Sequence, residues 1–122
     1  MKILLVDDNE LFVESLVVIL QFHGYEFKIA SNGVDAIEII EEFKPDMVIL
    51  DIMMPQMNGL EVCSYIKSHS SLKDTYIMVL SAKDSIEDRN EALHSGADDY
   101  CVKPFSPDEI LERITKFDLV LL

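Results

Sequence analysis

Met47-Val48-Ile49-Leu50-Asp51-Ile52-Met53-Met54-Pro55 is the stretch on which the reading of this chain turns. Four apolar residues run into a single aspartate, three more follow, and a proline closes the run. A short, continuously apolar run bounded by turn signals reads as a strand buried on both faces. Asp51 then stands at the carboxyl end of that strand. In an open parallel sheet, ligands bind just beyond that end, so Asp51 is a candidate site residue.

Working outward, strands and helices alternate. Ile3 to Val6 predict a first strand, apolar on both faces and ended by Asp7, Asp8 and Asn9. A helix from about Glu10 to Phe22 follows, with Phe12, Leu16, Ile19 and Leu20 at helical spacing and Gly24 as its stop. Tyr25 to Ala30 predict a half-exposed edge strand, because Phe27 and Ile29 alternate with Lys28. A second helix carries Ala36, Ile37, Ile40 and Phe43 as its apolar stripe and ends at Lys44-Pro45. Beyond the opening stretch, Pro55 to Gly59 predict a turn and Leu60 to Ser68 a third helix. Tyr76 to Leu80 predict a strand with Ser81 at its end. Ser85 and Asp88 have the spacing of a capping box for a fourth helix, which Gly96 closes. Asp99 to Val102 predict the last strand, and Lys103 follows it. Ser106-Pro107-Asp108-Glu109 open a fifth helix whose inward residues are Ile110, Leu111, Ile114 and Phe117. Five alternations with short links predict an α/β fold, a doubly wound five-stranded parallel sheet with helices on both faces. A central first strand and an edge second strand imply the flavodoxin-like order 2-1-3-4-5, with a crevice between strands 1 and 3.

Composition narrows the function. A chain of 122 residues, 49% hydrophobic, suits a single domain over 1–122 with a sizeable core. The net charge of −13 would repel phosphate backbones, which argues against direct nucleic acid binding and favours cations and basic protein faces. Cys63 and Cys101 lack any CxxC or Cys/His spacing and read as core residues of a reducing compartment. The short apolar start ends in two acids and is no signal peptide, and no stretch has the length of a membrane span. A cytoplasmic protein without a membrane partner is expected.

The predicted topology delivers Asp7 and Asp8 from strand 1, Asp51 from strand 3, Ser81 from strand 4 and Lys103 from strand 5 to one sheet edge. Two like charges about 4 Å apart repel by about 1 kcal/mol in water and about 4 kcal/mol at an effective dielectric of 20. Three converging carboxylates therefore need a proton, a cation or both. Hard oxygen donors without His or Cys select magnesium, manganese or calcium, and magnesium best shares its shell with a phosphate. Lys103 offers a point charge to that phosphate and Ser81 a hydroxyl donor, while Asp51 is the natural nucleophile because a carboxylate forms an acyl phosphate. Read singly, Asp51 or Lys103 could be a solvated strand-end charge and Ser81 a helix cap; four strands converging on one edge weigh against that.

At these residues the chain resembles the response-regulator receiver domain of two-component signalling, and in particular the receivers of winged-helix DNA-binding regulators. The resemblance runs from Lys2 to about Phe117. It rests on Leu5-Val6-Asp7-Asp8, Leu50 to Pro55 with Asn58-Gly59, Leu80-Ser81-Ala82-Lys83, and Gly96 to Tyr100 leading to Lys103-Pro104-Phe105. It implies that Asp51 accepts a phosphoryl group from a histidine kinase or phosphotransfer protein. It further implies Mg2+ bound by Asp8, Asp51 and the Met53 backbone carbonyl, with Asp7 acting through water. Lys103 and a moving Ser81 would meet the phosphate, Tyr100 would be the switch aromatic, and a cis bond would precede Pro104. The output would be a shift of the face formed by helix 4, strand 5 and helix 5, which carries Arg89, Asp98, Asp99, Glu109 and Arg113. By analogy, Arg89 would meet Glu109 and Asp99 would meet Arg113 across a phosphorylation-dependent homodimer; the bland alternative is a solvated charged face. No catalysis beyond the chain's own phosphorylation and dephosphorylation is expected.

Three rivals are weighed. A magnesium-dependent phosphatase with an aspartate nucleophile, like the haloacid dehalogenases, places a second aspartate two residues on, where this chain has Met53. An FMN module would need a phosphate cradle where Asp7-Asp8-Asn9 supplies acids. An unphosphorylated interaction module would not need the intact acid pair, Asp51, Ser81 and Lys103. The apolar run from Phe117 to Leu122 is read as continuing into an attached output domain of a longer regulator, or as packing on a partner.

Overall fold

The computed structural model describes residues 1–52, 59–82, 85–104 and 106–121. Five parallel strands lie in the order β2-β1-β3-β4-β5, as expected. They are β1 (Lys2–Val6), β2 (Glu26–Ala30), β3 (Met47–Asp51), β4 (Tyr76–Ser81) and β5 (Asp99–Val102). The helices are α1 (Glu10–Phe22), α2 (Gly33–Phe43), α3 (Gly59–Ser68), α4 (Ile86–His94) and α5 (Pro107–Leu121).

Strand alternation explains the two cores. Leu4, Val6, Val48, Leu50, Ile77 and Val79 pack against Ala36 and Ile40 of α2, Val62, Cys63 and Ile66 of α3 and Ala92 of α4. Ile3, Leu5, Met47, Ile49, Met78 and Leu80 pack against Leu16 and Leu20 of α1 and Ile110 and Ile114 of α5. Every residue of β3 is buried, as expected for a strand covered on both faces, whereas β2 at the edge buries only Ala30 fully.

Local signals set the helix ends. The Asn9 and Asn32 side chains accept from the N–H groups of Phe12 and Asp35, capping α1 and α2. Ser85 caps α4 by accepting from Asp88 N–H, and its hydroxyl donates to the Asp88 carboxylate at 2.6 Å. The acid thus returns to the serine side chain, whereas a full capping box would return it to the backbone. Helix α3 begins one residue earlier than its periodicity predicts, at Gly59, whose N–H donates to Ile52 O at 3.1 Å. Helix α5 carries the apolar tail on as far as Leu121, and Phe117 packs on Tyr76 with ring centroids 4.5 Å apart. The tail is therefore helix as far as Leu121, and Phe117 packs against the core. Among the described residues no helix is long and apolar enough to cross a membrane. Cys63 and Cys101 are buried free thiols, and burial pushes them up to about 12 and about 11 respectively.

Candidate functional site

The sheet register builds the site. Val6 pairs with Leu50, so the next residues, Asp7 and Asp51, leave adjacent strands side by side. Asp51 pairs with Leu80 and Ser81 with Val102, which brings Ser81 and then Lys103 to the same edge. Asp7, Asp8 and Asp51 each offer an oxygen within 4.8 Å of the others. The Lys103 ammonium lies 3.3 Å from Asp51 Oδ2, and Lys103 N–H donates to Ser81 O at 2.7 Å. Asp51 and Ser81 are buried, while Asp8 is exposed.

Asp7 is the most buried of the three acids. It is only 2% exposed. Its Oδ1 accepts from Asn9 N–H at 2.9 Å, its own N–H donates to Ala30 O, and its Oδ2 has no hydrogen-bond partner among the described residues. Burial pushes its carboxyl above the ordinary range, the Asn9 N–H opposes that, and the neighbouring Asp51 charge adds to it. A buried carboxylate grouped with two more acids, with one oxygen lacking a hydrogen-bond partner among the described residues, is the arrangement a hard cation relieves. The all-oxygen donor set fits a divalent ion such as Mg2+ and offers nothing soft enough for zinc. Asn9 is the contributor that sequence reasoning passed over as a strand terminator. Its place just before a helical apolar period was the available signal.

Residues 3–115 match the model of the response regulator receiver domain. The chain belongs to that family. It is 46% identical over 114 residues to Response regulator MprA of Mycobacterium leprae, covering 93% of this chain and 49% of that protein. It is 45% identical over 113 residues to the protein of the same name in Mycobacterium sp. strain KMS, covering 93% and 48%. The receiver domain thus spans about half the length of the curated relatives it matches. Among solved structures, the chemotaxis response regulator CheY4 of Vibrio cholerae superposes with a TM-score of 0.88 at 32% identity, covering 94% of this chain and 96% of that one. A BeF3-activated DrrB receiver domain superposes with a TM-score of 0.84 at 32% identity, covering 95% of each chain.

The remaining candidates of this receiver domain divide in two. Tyr100 is buried, with the Arg89 guanidinium 5.5 Å from its ring centroid. Arg113 of α5 pairs with Asp99 at 2.6 Å within the same chain, and this hydrogen bond is the main cause raising the Arg113 pKa. Asp98 turns instead to the amino edge of the sheet, where its Oδ2 accepts from Ile77 N–H at 2.8 Å and Lys67 Nζ at 3.2 Å. Glu109 lies in the first turn of α5, beside Arg113 and Asp99 around one open groove. The Lys103-Pro104 bond is cis. Met53 and Lys83, together with Met54 to Asn58 and Phe105, lie outside the described residues.

Proposed function

We propose that this receiver domain is a cytoplasmic phosphorylation switch in which Asp51 takes a phosphoryl group from a sensor histidine kinase or phosphotransfer protein. The observation that carries the reading is Asp51 grouped with the carboxylates of Asp7 and Asp8, with its Oδ2 3.3 Å from Lys103 Nζ. An Asp51 carboxylate oxygen attacks the phosphorus, a P–O bond forms, the P–N bond to the donor imidazole breaks, and that nitrogen keeps the electron pair. Lys103 exchanges part of its contact with Asp51 for the phosphoryl oxygens, and Ser81 donates to another. Asp7, Asp8, Asp51 and the Met53 carbonyl would hold Mg2+, which when bound neutralises charge on the carboxylates and the phosphoryl oxygens.

The response is a two-state shift carried from Ser81 through Tyr100 to α4, β5 and α5. That face then controls an attached output domain or a homodimer, consistent with relatives about twice as long as this chain. In the homodimer Arg89 meets Glu109 and Asp99 meets Arg113 of the other copy. Because Asp99 and Arg113 already pair within one chain, reversing both charges in the same chain restores either pairing. The discriminating test mixes an Asp99→Arg chain with an Arg113→Asp chain. Phosphorylation-dependent heterodimers support the exchange, and a mixture that stays monomeric overturns it.

Lifetime follows from two further side chains. Met53 and Lys83 stand two residues beyond Asp51 and Ser81, and neither is a carboxylate or amide that could orient an attacking water. The acyl phosphate is therefore long-lived, and rapid spontaneous decay in the purified, magnesium-loaded domain would contradict this.

The central experiment is labelling with a small phosphodonor such as acetyl phosphate, with and without Mg2+, beside Asp51→Asn. Metal-dependent labelling of the wild type that disappears in the variant is expected; equal labelling of both would falsify the assignment of Asp51.

A further inference from the structure

Gly59 opens α3 directly beneath the end of β3. A Cβ added there would lie 2.5 Å from Ile52 Cα, 2.9 Å from Ile52 Cγ2 and 3.0 Å from Asp51 O. Two of these three atoms are backbone, so a larger residue cannot be absorbed by turning a flexible side chain. Ile52 can retreat only by giving up contacts. Its N–H donates to Leu80 O of β4 at 3.4 Å, its carbonyl accepts from Gly59 N–H at 3.1 Å, and its side chain is packed in the core between the sheet and α2–α4. The residue that follows Asp51 is therefore fixed by β4, by the core and by the first residue of α3 together.

We propose that Gly59 is a positioning residue for Asp51: its missing Cβ lets α3 press against the Asp51–Ile52 backbone and so sets where the Asp51 carboxylate stands relative to Asp7, Asp8 and Lys103. This rests on the reading of Asp51 as the phosphoacceptor of a magnesium-dependent site. A side chain at position 59 displaces Ile52, and the displacement reaches Asp51 through one peptide unit. The contacts within 4.8 Å among the three carboxylates and the 3.3 Å contact to Lys103 then lose their geometry.

Gly96 supplies the control. A Cβ there would meet Lys67 Cγ at 2.4 Å and the backbone has φ +115°, so alanine is strained at this position too, but at the opposite, amino edge of the sheet. The test titrates Mg2+ calorimetrically into wild type, Gly59→Ala and Gly96→Ala, and follows labelling by acetyl phosphate. Gly59→Ala is expected to bind Mg2+ about tenfold more weakly, the size of a lost supporting contact around a metal, and to be labelled correspondingly more slowly. Gly96→Ala is expected to melt earlier yet keep its Mg2+ affinity within about twofold, because the two sites are distant. If Gly59→Ala does not fold in plain buffer, all three proteins are compared in trimethylamine N-oxide, which favours compact states. A Gly59→Ala chain that remains unfolded there marks the glycine as a requirement of the fold alone and overturns the positioning role. Equal Mg2+ affinity in folded Gly59→Ala and wild type overturns it while leaving the phosphoacceptor reading intact. A wild type that neither binds Mg2+ nor is labelled defeats both.

Discussion

The two edges of one sheet treat charge in opposite ways. At the amino edge, Lys67 Nζ donates to Lys73 O, Thr75 O and Asp98 Oδ2, Asp98 also accepts from Ile77 N–H, and the Thr75 hydroxyl donates to Pro45 O. Each of these groups is met from within the chain. At the carboxyl edge, three acids gather, Lys103 meets Asp51, and Asp7 Oδ2 has no hydrogen-bond partner among the described residues. The first edge closes the fold. The second gathers like charges, the kind of arrangement a divalent cation relieves and functional sites favour.

Breaking each edge in turn should give opposite signs. The largest effect is functional: Asp51→Asn is expected to lose all metal-dependent labelling while its metal-free melting temperature holds or rises, since one of three crowded charges is gone. Next, Asp98→Ala leaves Ile77 N–H and the Lys67 ammonium short of an acceptor. It should cost about 1–2 kcal/mol in urea denaturation, allowing for the partial exposure of the pair, with labelling retained. A comparable loss of labelling would mean the two edges are not independent.

Asp7→Asn should do the reverse in metal-free protein, raising stability at neutral pH by about 1 kcal/mol. The sign follows from the raised folded-state pKa of Asp7, set chiefly by burial. The folded chain holds that proton more tightly than the unfolded chain, so ionisation is destabilising. The penalty is absent below the ordinary value of 3.8 and grows as the pH rises through the folded value. The variant's advantage should therefore shrink as the pH is lowered towards 3.8, and saturating Mg2+ should reverse the ordering. An advantage independent of pH would refute the electrostatic account. The smallest effect is expected at Arg113→Ala. Its pair with Asp99 is short but 43% exposed on the arginine side, so the cost is below about 1 kcal/mol and fades with added salt.

Most of the carboxyl edge was legible in the sequence because strand-end residues inherit their place from short-range patterns. Apolar runs ending in Asp7, Asp51, Ser81 and Lys103 need only the parallel order of strands to converge, and the order follows from alternation and crossover handedness. The amino edge was not legible. Lys67 and Asp98 are 31 residues apart and no local pattern joins them, so the sequence reading leaves Asp98 on the signalling face. Asn9 differs: a pattern marks it as a helix cap, but its backbone hold on Asp7 is a contact that no pattern encodes.

The sequence alone thus determined the alternating α/β fold, its strand order and the residues gathered at one edge, because periodicity and strand ends are local properties. Only the tertiary structure decided the partners. The register set Asp7 beside Asp51, packing left Asp7 Oδ2 without a hydrogen-bond partner among the described residues, and the approach of α3 made Gly59 abut Asp51 and Ile52. Distances of a few ångströms between residues far apart in the chain are settled by how the two cores close over the sheet, and no local pattern encodes them.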